Sequence, residues 1–476
     1  MCSSDLLSVA CAAPAALAAA PAPPAPAAAA VATPAPPLPL RRLCAHMASV
    51  DPFLRSGTVA EVRSDAVRVR DLLVGVGHPV CFASGVGGEV VAASEEDVVV
   101  ALDQPADGLK PGDRVVAAQL GVGIGFGPEL LGRVIDARGC PIDGGPPLTS
   151  LPQRPLANPT PLALERPLIE APLPTGVRAI DAMATVGAGQ RMGIFAGPGV
   201  GKSTLLGQIV RYAEVEVSVI ALVGERSREV REFVDDVLGP EGLARSVVVV
   251  ATGEETPLRR LRAAKAACAI AEGFRAGGQE TLLVMDSLTR VAHAVRQLGL
   301  AAGEPPATRG YPPSVFQHLA ELVERAGRIN GPQGSVGITG LFTVLVEGDD
   351  ETEPIGDAVR GLLDGHVRLD RRRADAGQFP AIDPVGSRSR LMERICDPIH
   401  RQSARTMRAG FAELDEVAEL RAVGAYQPGS HPLRDRAVQL ESVLQQFLTQ
   451  EPTEQSDYPA TLDVLQKIAG ALEGDG

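Results

Sequence analysis

Most of the chain shows two different patterns of apolar and polar residues. Between residues 51 and 119, short β-branched runs such as Val98–Leu102 are separated by Gly, Pro and Asp, a spacing that predicts a small β-barrel. From residue 190 onward, apolar strands alternate with helical segments, beginning with Arg191–Ala196 and Lys202–Ala213 and including a predicted helix over Pro313–Ile329. This alternation predicts an α/β fold, with a mostly parallel sheet covered by helices on both faces.

A third pattern begins near residue 396, after which only helical periodicity remains. The first 40 residues contain 16 Ala and 9 Pro, which indicates a disordered tail. A second interpretation is that this tail is not translated, because Met47 directly precedes the first structured pattern. The predicted organisation is a tail at 1–48, a β-barrel at 49–120, a sheet domain at 121–395 that includes a Gly/Pro-rich connector at 121–180, and a helical domain at 396–476.

Composition narrows the class of protein. The formal net charge of -13 argues against a protein that coats nucleic acid, since neutralising phosphates needs an excess of Lys and Arg. The seven cysteines include no CxxC pair, which indicates reduced thiols in a cytosolic protein rather than a disulfide framework or a zinc site. No long apolar run lacks helix breakers, which argues against a transmembrane helix. The first basic residue is Arg41, so the basic start of a secretory signal is missing.

The sequence Ala196-Gly-Pro-Gly-Val-Gly-Lys-Ser-Thr204 carries the first chemical signal. It follows a predicted strand and opens a predicted helix, the context in which a glycine-rich loop turns backbone N–H groups toward phosphates. Lys202 is expected to reach the terminal phosphates, and the Ser203 hydroxyl to ligate Mg²⁺. The chain is therefore predicted to be an ATPase that binds MgATP through Gly197, Pro198, Gly199, Val200, Gly201, Lys202, Ser203 and Thr204.

Two other strand ends supply candidate carboxylates. The apolar strand Thr281–Asp286 ends in an Asp, which at this place can hold the magnesium ion through water. A second strand is followed by Gly224-Glu-Arg226, where Glu225 can orient the attacking water as a general base. The residues alone leave open an alternative, in which Glu225 and Arg226 form an ion pair at the surface.

Arginines far along the chain are the remaining candidates. Arg388 and Arg390 lie in Gly386-Ser-Arg-Ser-Arg-Leu-Met392. An arginine delivered to the γ-phosphate of a neighbouring subunit offsets charge in the transition state. Spacing alone leaves open whether these two side chains act in this way or are solvated. The run Arg371–Arg373 is interpreted as a solvated basic run.

Together these motifs resemble the ATPases of type III protein export, flagellar or injectisome, which are relatives of the catalytic subunits of rotary ATPases. The resemblance covers about residues 57–448. Besides the phosphate loop it rests on Leu131-Gly-Arg-Val-Ile-Asp136, Thr175-Gly-Val-Arg-Ala-Ile-Asp181, Gly224-Glu-Arg-Ser-Arg-Glu-Val-Arg-Glu-Phe233, Met285-Asp-Ser-Leu-Thr-Arg290, Thr343-Val-Leu-Val-Glu-Gly-Asp-Asp350 and Gly424-Ala-Tyr-Gln-Pro-Gly429.

The resemblance implies a RecA-like P-loop NTPase core between the β-barrel and the helical C-terminal domain, assembled as a homohexamer with sites between subunits. It implies that Glu225 is the catalytic base and that Arg390, rather than Arg388, is the finger acting on the adjacent subunit. Ser203 and Asp286 then serve the magnesium ion.

The resemblance also implies a set of residues that line the nucleotide pocket. These are Arg226, Arg290 and Tyr311. Where the ATP synthase subunit carries an aromatic residue under the adenine, this chain is read as having Leu345, with Tyr458 as a candidate aromatic from the C-terminal side.

Partners and a place in the cell follow from the same resemblance. The expected partners are a coiled-coil stalk protein, a regulator, exported proteins with their chaperones and, peripherally, the membrane export gate, with no nucleic acid. The expected location is cytoplasmic, peripheral to the inner membrane, and a flagellar system is favoured over an injectisome. The Ala/Pro tail does not resemble the amphipathic N-terminus by which the family contacts its regulator.

Two other functions are weighed against this one. The first is the catalytic subunit of a proton-translocating rotary ATP synthase, which is disfavoured because Gln427–Pro432 stands in place of an acidic stalk-contacting loop. The second is an RNA-dependent ring helicase, which needs a basic groove bearing aromatic residues. The acidic net charge and the four tyrosines disfavour it.

Overall fold

A computed structural model describes residues 55–118, 123–149, 151–158, 161–331, 334–346, 353–429 and 431–474. The predicted tail at 1–48 lies outside these ranges. None of the helices within them has the length and apolar character needed to cross a membrane.

Six antiparallel strands form the first domain: β1 (Ser56–Val62), β2 (Ala66–Arg70), β3 (Pro79–Phe82), β4 (Gly87–Ala93), β5 (Asp97–Leu102) and β6 (Arg114–Ala117). They close into a barrel in the order β1-β2-β5-β4-β3-β6. In β2, Val67 and Val69 are buried while Arg68 and Arg70 are exposed, because successive side chains of a strand point to opposite faces. The small β-barrel predicted from the sequence is confirmed.

Three short strands follow the barrel: β7 (Gly123–Gly125), β8 (Arg133–Asp136) and β9 (Gln153–Pro155). β7 and β9 pair with each other, whereas β8 joins the central sheet as an edge strand. The sequence predicted only a connector here, because a four-residue strand gives too short a pattern to detect.

The central sheet is built from β8 together with β10 (Arg191–Ala196), β11 (Val217–Val223), β12 (Ser246–Ala251), β13 (Thr281–Asp286), β14 (Gly327–Gly331), β15 (Gly334–Leu345), β16 (Gly365–Arg368) and β17 (Arg388–Ser389). The strand order is β17-β16-β10-β15-β13-β11-β12-β8, and β14 pairs with β15. Only β14 and β17 run antiparallel to their neighbours in this described sheet. The mostly parallel sheet is therefore confirmed.

The helices that the structure describes are α1 (Arg178–Met183), α2 (Lys202–Tyr212), α3 (Ser227–Glu232), α4 (Gly239–Ala244), α5 (Pro257–Ala276), α6 (Leu288–Ala302), α7 (Pro313–Glu324), α8 (Pro354–Leu362), α9 (Arg371–Asp375), α10 (Met392–Ile395), α11 (Pro398–Ala422), α12 (Pro432–Gln439), α13 (Glu441–Leu448) and α14 (Tyr458–Glu473). α5 to α8 pack on one face of the sheet, and α1, α2 and the C-terminal helices on the other. β11 serves both cores, since Val219 and Ala221 pack on the first face while Ile220 and Leu222 pack on the second.

One predicted helix was too long. The pattern predicted a helix over Pro313–Ile329, but α7 ends at Glu324 and the chain continues into β14. β14 begins three residues later at Gly327, whose φ of 119° lies in a region that an L-residue rarely adopts. Helix α6 was not singled out from the sequence, although its start directly after Asp286 positions residues of the candidate site.

The segment between α13 and α14 is hydrogen-bonded to α2, the helix that follows the phosphate loop. Three side chains near the end of α2 donate hydrogen bonds to successive carbonyl oxygens of one segment: Gln208 to Glu451 at 3.3 Å, Arg211 to Pro452 at 2.6 Å and Tyr212 to Thr453 at 2.8 Å. The helical domain is therefore bonded directly to the element that carries Lys202.

Candidate nucleotide-binding site

The phosphate loop lies between the end of β10 and the start of α2. Gly199 and Gly201 have φ values of 75° and 87°, which glycine adopts without the strain that a side chain would bring. Val200 is buried in the core below the loop. The loop thus leads directly into the N-terminal end of α2, where free backbone N–H groups and the helix dipole attract anions.

Lys202 and the two predicted carboxylates meet beside this loop. The Lys202 ammonium donates a hydrogen bond to Asp286 and lies 3.5 Å from Oε1 of Glu225. Asp286 is also held by the Thr343 hydroxyl, which donates to its Oδ1 at 2.7 Å. The three groups come together because β10, β13 and β11 are parallel, and their carboxyl ends share one edge of the sheet.

The donor set suits MgATP. Ser203 and Thr204 are exposed at the mouth of the loop, and Asp286 supplies carboxylate oxygens in a nearly buried position. No group of three or more His, Cys, Asp or Glu side chains in the described ranges could hold a metal ion. A magnesium ion here would therefore depend on one or two protein oxygens completed by phosphates and water, which is the usual manner of Mg²⁺ in ATPases.

Glu225 has an electrostatic environment suited to a base. Burial raises the pKa of the Glu225 carboxyl to about 7, and the negative charge of Asp286 adds to this while Lys202 and Arg290 oppose it. The backbone here is held by two hydrogen bonds: the Gly253 N–H donates to the Glu225 carbonyl at 3.0 Å, and the Gly224 N–H donates to the Ala251 carbonyl at 2.6 Å. A carboxyl group that titrates near neutral pH can exchange a proton with water during turnover.

The rate of hydrolysis should report this pKa. Because the base acts when ionised, kcat/KM should rise with pH through about 7 and level off at alkaline pH, since kcat/KM reflects groups of the free enzyme. The measurement is kcat/KM for MgATP across this range, from rates at several MgATP concentrations with free Mg²⁺ held constant at each pH. A profile that stays flat through neutrality would contradict the role of Glu225.

Arg226, Arg290 and Tyr311, the residues that the resemblance implies line the pocket, differ in burial and in their contacts. Arg290 packs against Gly224, where an added Cβ would lie 2.9 Å from Cβ of Arg290, so it lies beside Glu225. The Arg226 side chain is 85% exposed and pairs with Glu229 at 3.8 Å. Their role in binding nucleotide stays a prediction.

Tyr311 is the third of these residues, and the structure places it against α6. Its hydroxyl lies 3.1 Å from Nε2 of His293, and the Arg296 guanidinium lies 5.2 Å from its ring centroid. These contacts bury the ring. Tyr311 also remains a predicted lining residue.

Arg390 lies at the opposite end of the sheet from its own phosphate loop. Its backbone N–H donates to the Asp364 carbonyl at 2.9 Å, and the Asp364 carboxylate accepts a hydrogen bond from the Arg191 N–H at 3.1 Å. Arg191 begins β10, whereas the phosphate loop follows Ala196 at its end. At about 3.3 Å per residue, the length of β10 separates the two by roughly 16 Å.

Two side chains at the phosphate loop, Arg371 and Phe379, were not predicted from the sequence. Arg371 donates a hydrogen bond from Nη2 to the Pro198 carbonyl at 2.9 Å, and Arg373 lies over the ring of Phe411 at 5.6 Å. Arg371 and Arg372 are exposed, as the interpretation of Arg371–Arg373 as a solvated run expected. Arg371 nevertheless contacts the phosphate loop, and Arg373 is half-buried against the C-terminal helices. The sequence pattern held no sign of this, since a run of arginines looks the same in either setting.

Phe379 is the second missed residue. A Cβ added at Gly201 would lie 3.2 Å from Cδ1 of Phe379, and the ring is 41% exposed. Leu345, by contrast, is the last residue of β15 and pairs with Ala196, and Tyr458 packs edge-on against His400 at 6.2 Å. An open aromatic surface therefore lies beside the loop, at a residue that no strand or helix pattern marks.

A cavity of about 680 Å³ lies between the barrel and helices α5 and α6, lined by Glu89, Arg262 and Lys265 among others. It shares no lining residue with the phosphate loop, Glu225 or Asp286. The candidate site is therefore assigned from the geometry around Lys202 and not from cavity size.

Comparison with known proteins agrees with this site. Residues 176–389 match the nucleotide-binding domain of the ATP synthase alpha/beta family, and residues 396–467 match the C-terminal domain of the type III secretion ATPase EscN. The flagellum-specific ATP synthase of Salmonella typhimurium is 47% identical over 387 residues, 80% of this chain and 84% of that protein. The type 3 secretion system ATPase of Xanthomonas euvesicatoria is 44% identical over 420 residues, 87% of this chain and 94% of that protein.

The fold comparison gives the same result. The assembled ATPase EscN from the type III secretion system of enteropathogenic E. coli superimposes with a TM-score of 0.82 at 39% identity, covering 87% of this chain and all of that one. Relatives from flagellar and from secretion systems match to a similar degree. The chain is therefore an ATPase that belongs to the type III export branch, flagellar and injectisome together, of the ATP synthase alpha/beta family.

Proposed function

We propose that this chain hydrolyses MgATP to drive the docking, release or unfolding of proteins that a type III apparatus exports. The observation that carries the proposal is the meeting of Lys202, Glu225 and Asp286 at the phosphate loop. A cation, a carboxylate at the magnesium position and a carboxylate at the water position are the parts that phosphoryl transfer to water requires.

Each side chain has a proposed task. Lys202 binds the terminal phosphates, and Glu225 orients the attacking water and accepts its proton. Ser203, through its hydroxyl, and Asp286, through water, would hold the magnesium ion. A bound ion would offset the negative charge that develops on the phosphates.

We propose that Phe379 stacks on the adenine ring. Its exposed face beside Gly201 supports this assignment over Leu345 and Tyr458. Aromatic rings suit a base because offset stacking is favourable and the apolar faces are buried together. Arg226, Arg290 and Tyr311 are retained as proposed pocket residues.

We propose that subunits assemble into a homohexamer in which Arg390 completes the site of the neighbour. The separation of Arg390 from its own phosphate loop supports action between subunits. The relative EscN has been solved in an assembled form and in complex with its central stalk EscO, which supports a ring with a stalk partner here. The domain limits 49–120, 121–395 and 396–476 are retained.

Within this proposal, the protein acts on the cytoplasmic side, peripheral to the inner membrane. Its proposed partners are a coiled-coil stalk protein, a regulator, exported proteins with their chaperones and the export gate. A flagellar system remains the preferred setting.

Replacing Glu225 tests the proposed chemistry. Glu225→Gln should keep nucleotide affinity but lower turnover by about 10²–10⁴-fold, because the amide keeps the shape yet cannot accept a proton. Phosphate release at saturating MgATP and the affinity for a fluorescent ADP analogue would be measured side by side. If Glu225→Gln lost nucleotide binding as well as turnover, Glu225 would instead be a structural residue.

The same variant tests the cellular role. In a strain that lacks the chromosomal gene, the wild-type gene should restore flagellar filaments and the Glu225→Gln gene should not. Filaments that persist in the deletion strain would contradict the flagellar setting.

A further inference from the structure

The segment that follows β16 lies against the phosphate loop. β16 pairs in parallel with β10, and Arg368 lies opposite Phe195 in this pairing. The Leu369 N–H donates to the Phe195 carbonyl at 2.9 Å and extends the contact by one residue. Because neighbouring parallel strands end at the same edge of a sheet, the residues after Leu369 emerge beside the loop that follows β10.

Two side chains of this segment contact the loop at different places. Arg371 donates from Nη2 to the Pro198 carbonyl at 2.9 Å, and a Cβ added at Gly197 would lie 3.0 Å from the same nitrogen. Phe379 lies against Gly201. Phe379 already has a proposed task at the adenine ring, whereas the contact of Arg371 has none.

Arg371 is the first residue of α9, and this short helix is anchored at both ends. The Asp370 carboxylate caps the helix by accepting a hydrogen bond from the Arg372 N–H at 2.9 Å. Arg373 donates from Nη1 to Oε1 of Gln445 in α13 at 3.2 Å. The backbone that carries Arg371 is therefore bonded to the C-terminal helices and holds its side chain beside the loop.

The hydrogen bond to Pro198 bears on the direction of a backbone N–H. The Pro198–Gly199 peptide is trans, and in a planar trans peptide the C=O and the N–H point in opposite directions. With the Pro198 oxygen turned toward Arg371, the Gly199 N–H points away from Arg371. Gly199 has no Cβ to restrict rotation of this peptide, so a hydrogen bond from a neighbouring element restrains it.

We propose that Arg371 is a positioning residue for phosphate binding, because its hydrogen bond to Pro198 keeps the Gly199 N–H turned toward the nucleotide phosphates. A phosphate loop binds anions through inward-facing N–H groups. A loop that already has this conformation binds more tightly, since less has to be ordered on binding. The proposal rests on the proposed function in one respect, the binding of the phosphates by this loop.

Replacing Arg371 in the full chain tests the proposal. Arg371→Ala should raise KM for MgATP by about tenfold, the effect of losing one hydrogen bond from a charged donor. Its kcat should stay within about threefold of the wild-type value, because the loop N–H groups bind the phosphates equally in the ground and transition states. The affinity for a fluorescent ADP analogue should fall by the same factor. Arg371→Lys keeps a charged donor and should regain most of the lost affinity.

Two controls separate the hydrogen bond from the mere presence of a positive charge. Arg372→Ala removes the same charge from the next position of α9, which is also exposed, and should leave KM unchanged. The loss in Arg371→Ala should also be the same at about 0.1 M and about 0.5 M salt, since a direct attraction between an exposed guanidinium and the phosphates would be screened.

Three results would overturn the positioning role: a wild-type KM in Arg371→Ala, an equal rise of KM in Arg372→Ala, or a loss that disappears at high salt. A large fall in kcat would overturn it as well, because Arg371 would then act on the transition state. These results would leave the proposed function standing. That function fails instead if the wild-type protein neither binds the ADP analogue nor hydrolyses MgATP.

Discussion

Arg390→Ala should lower the ATPase rate of assembled subunits by about 10³–10⁵-fold, the usual contribution of an arginine finger. The guanidinium offsets charge only as it develops on the transferring phosphoryl group, so the affinity for MgATP should change little. Phosphate release at saturating MgATP and nucleotide affinity measured on the same preparation would separate the two quantities.

Mixed assemblies distinguish action on a neighbour from action within one subunit. If Arg390 acts on a neighbour, mixing Arg390→Ala with Glu225→Gln subunits creates interfaces where an intact Glu225 site meets an intact Arg390. Activity should then partly return, although each parent alone is inactive. The rate would be followed against mixing ratio, after subunits have been exchanged and reassembled.

Arg388→Ala is the matched control for this experiment. Arg388 is exposed on β17, two residues before Arg390, and carries the same charge, and its loss should cost far less turnover. Mixtures that stay as inactive as their parents, in oligomers shown to contain both kinds of subunit, would mean that Arg390 does not complete a neighbour's site.

Lys202→Ala should abolish hydrolysis, with a loss of at least about 10³-fold in kcat/KM. It removes the cation that contacts Asp286 and lies 3.5 Å from Glu225, and the two carboxylates would then repel the phosphates without compensation. The fold should persist, because the glycines of the loop and the buried Val200 set its backbone.

Lys467→Ala is the control, since Lys467 is a well-exposed lysine paired with Asp463 on α14. Circular dichroism would confirm that both variants are folded, and turnover at saturating MgATP would be compared. A Lys202→Ala rate within about tenfold of the wild-type rate would contradict the phosphate-loop assignment.

The parts of the site that the sequence predicted are those with a local pattern. The phosphate loop needs its glycines within a few residues of Lys202, and Asp286 ends an apolar strand. Glu225 could not be separated from a surface ion pair in this way, because its burial depends on β11 lying next to β13. The residues of a strand do not show which distant strand lies next to it in a parallel sheet.

The missed residues lie where only tertiary structure brings chain segments together. Arg371 reaches Pro198 because α9 packs beside the loop, and Phe379 lies in a loop without periodicity. The fold class was easier to predict, since barrel, sheet and helical domain each repeat their own pattern over many residues.

The placement of Arg390 and the phosphate loop at opposite ends of β10 gives the molecule a polarity. If Arg390 completes the site of a neighbour, as proposed, each copy has a donating end and a receiving end. Association would then be head-to-tail, and a ring would form only if the rotation between copies closes. In an open chain of subunits, one terminal subunit has no neighbour to supply Arg390 to its nucleotide site. A dimer therefore completes only one of its two sites. Ring closure supplies the missing Arg390 without adding a subunit. The ATPase rate per subunit should thus rise with each copy added and reach its maximum only when the ring closes. Ring closure is therefore the step that brings full turnover.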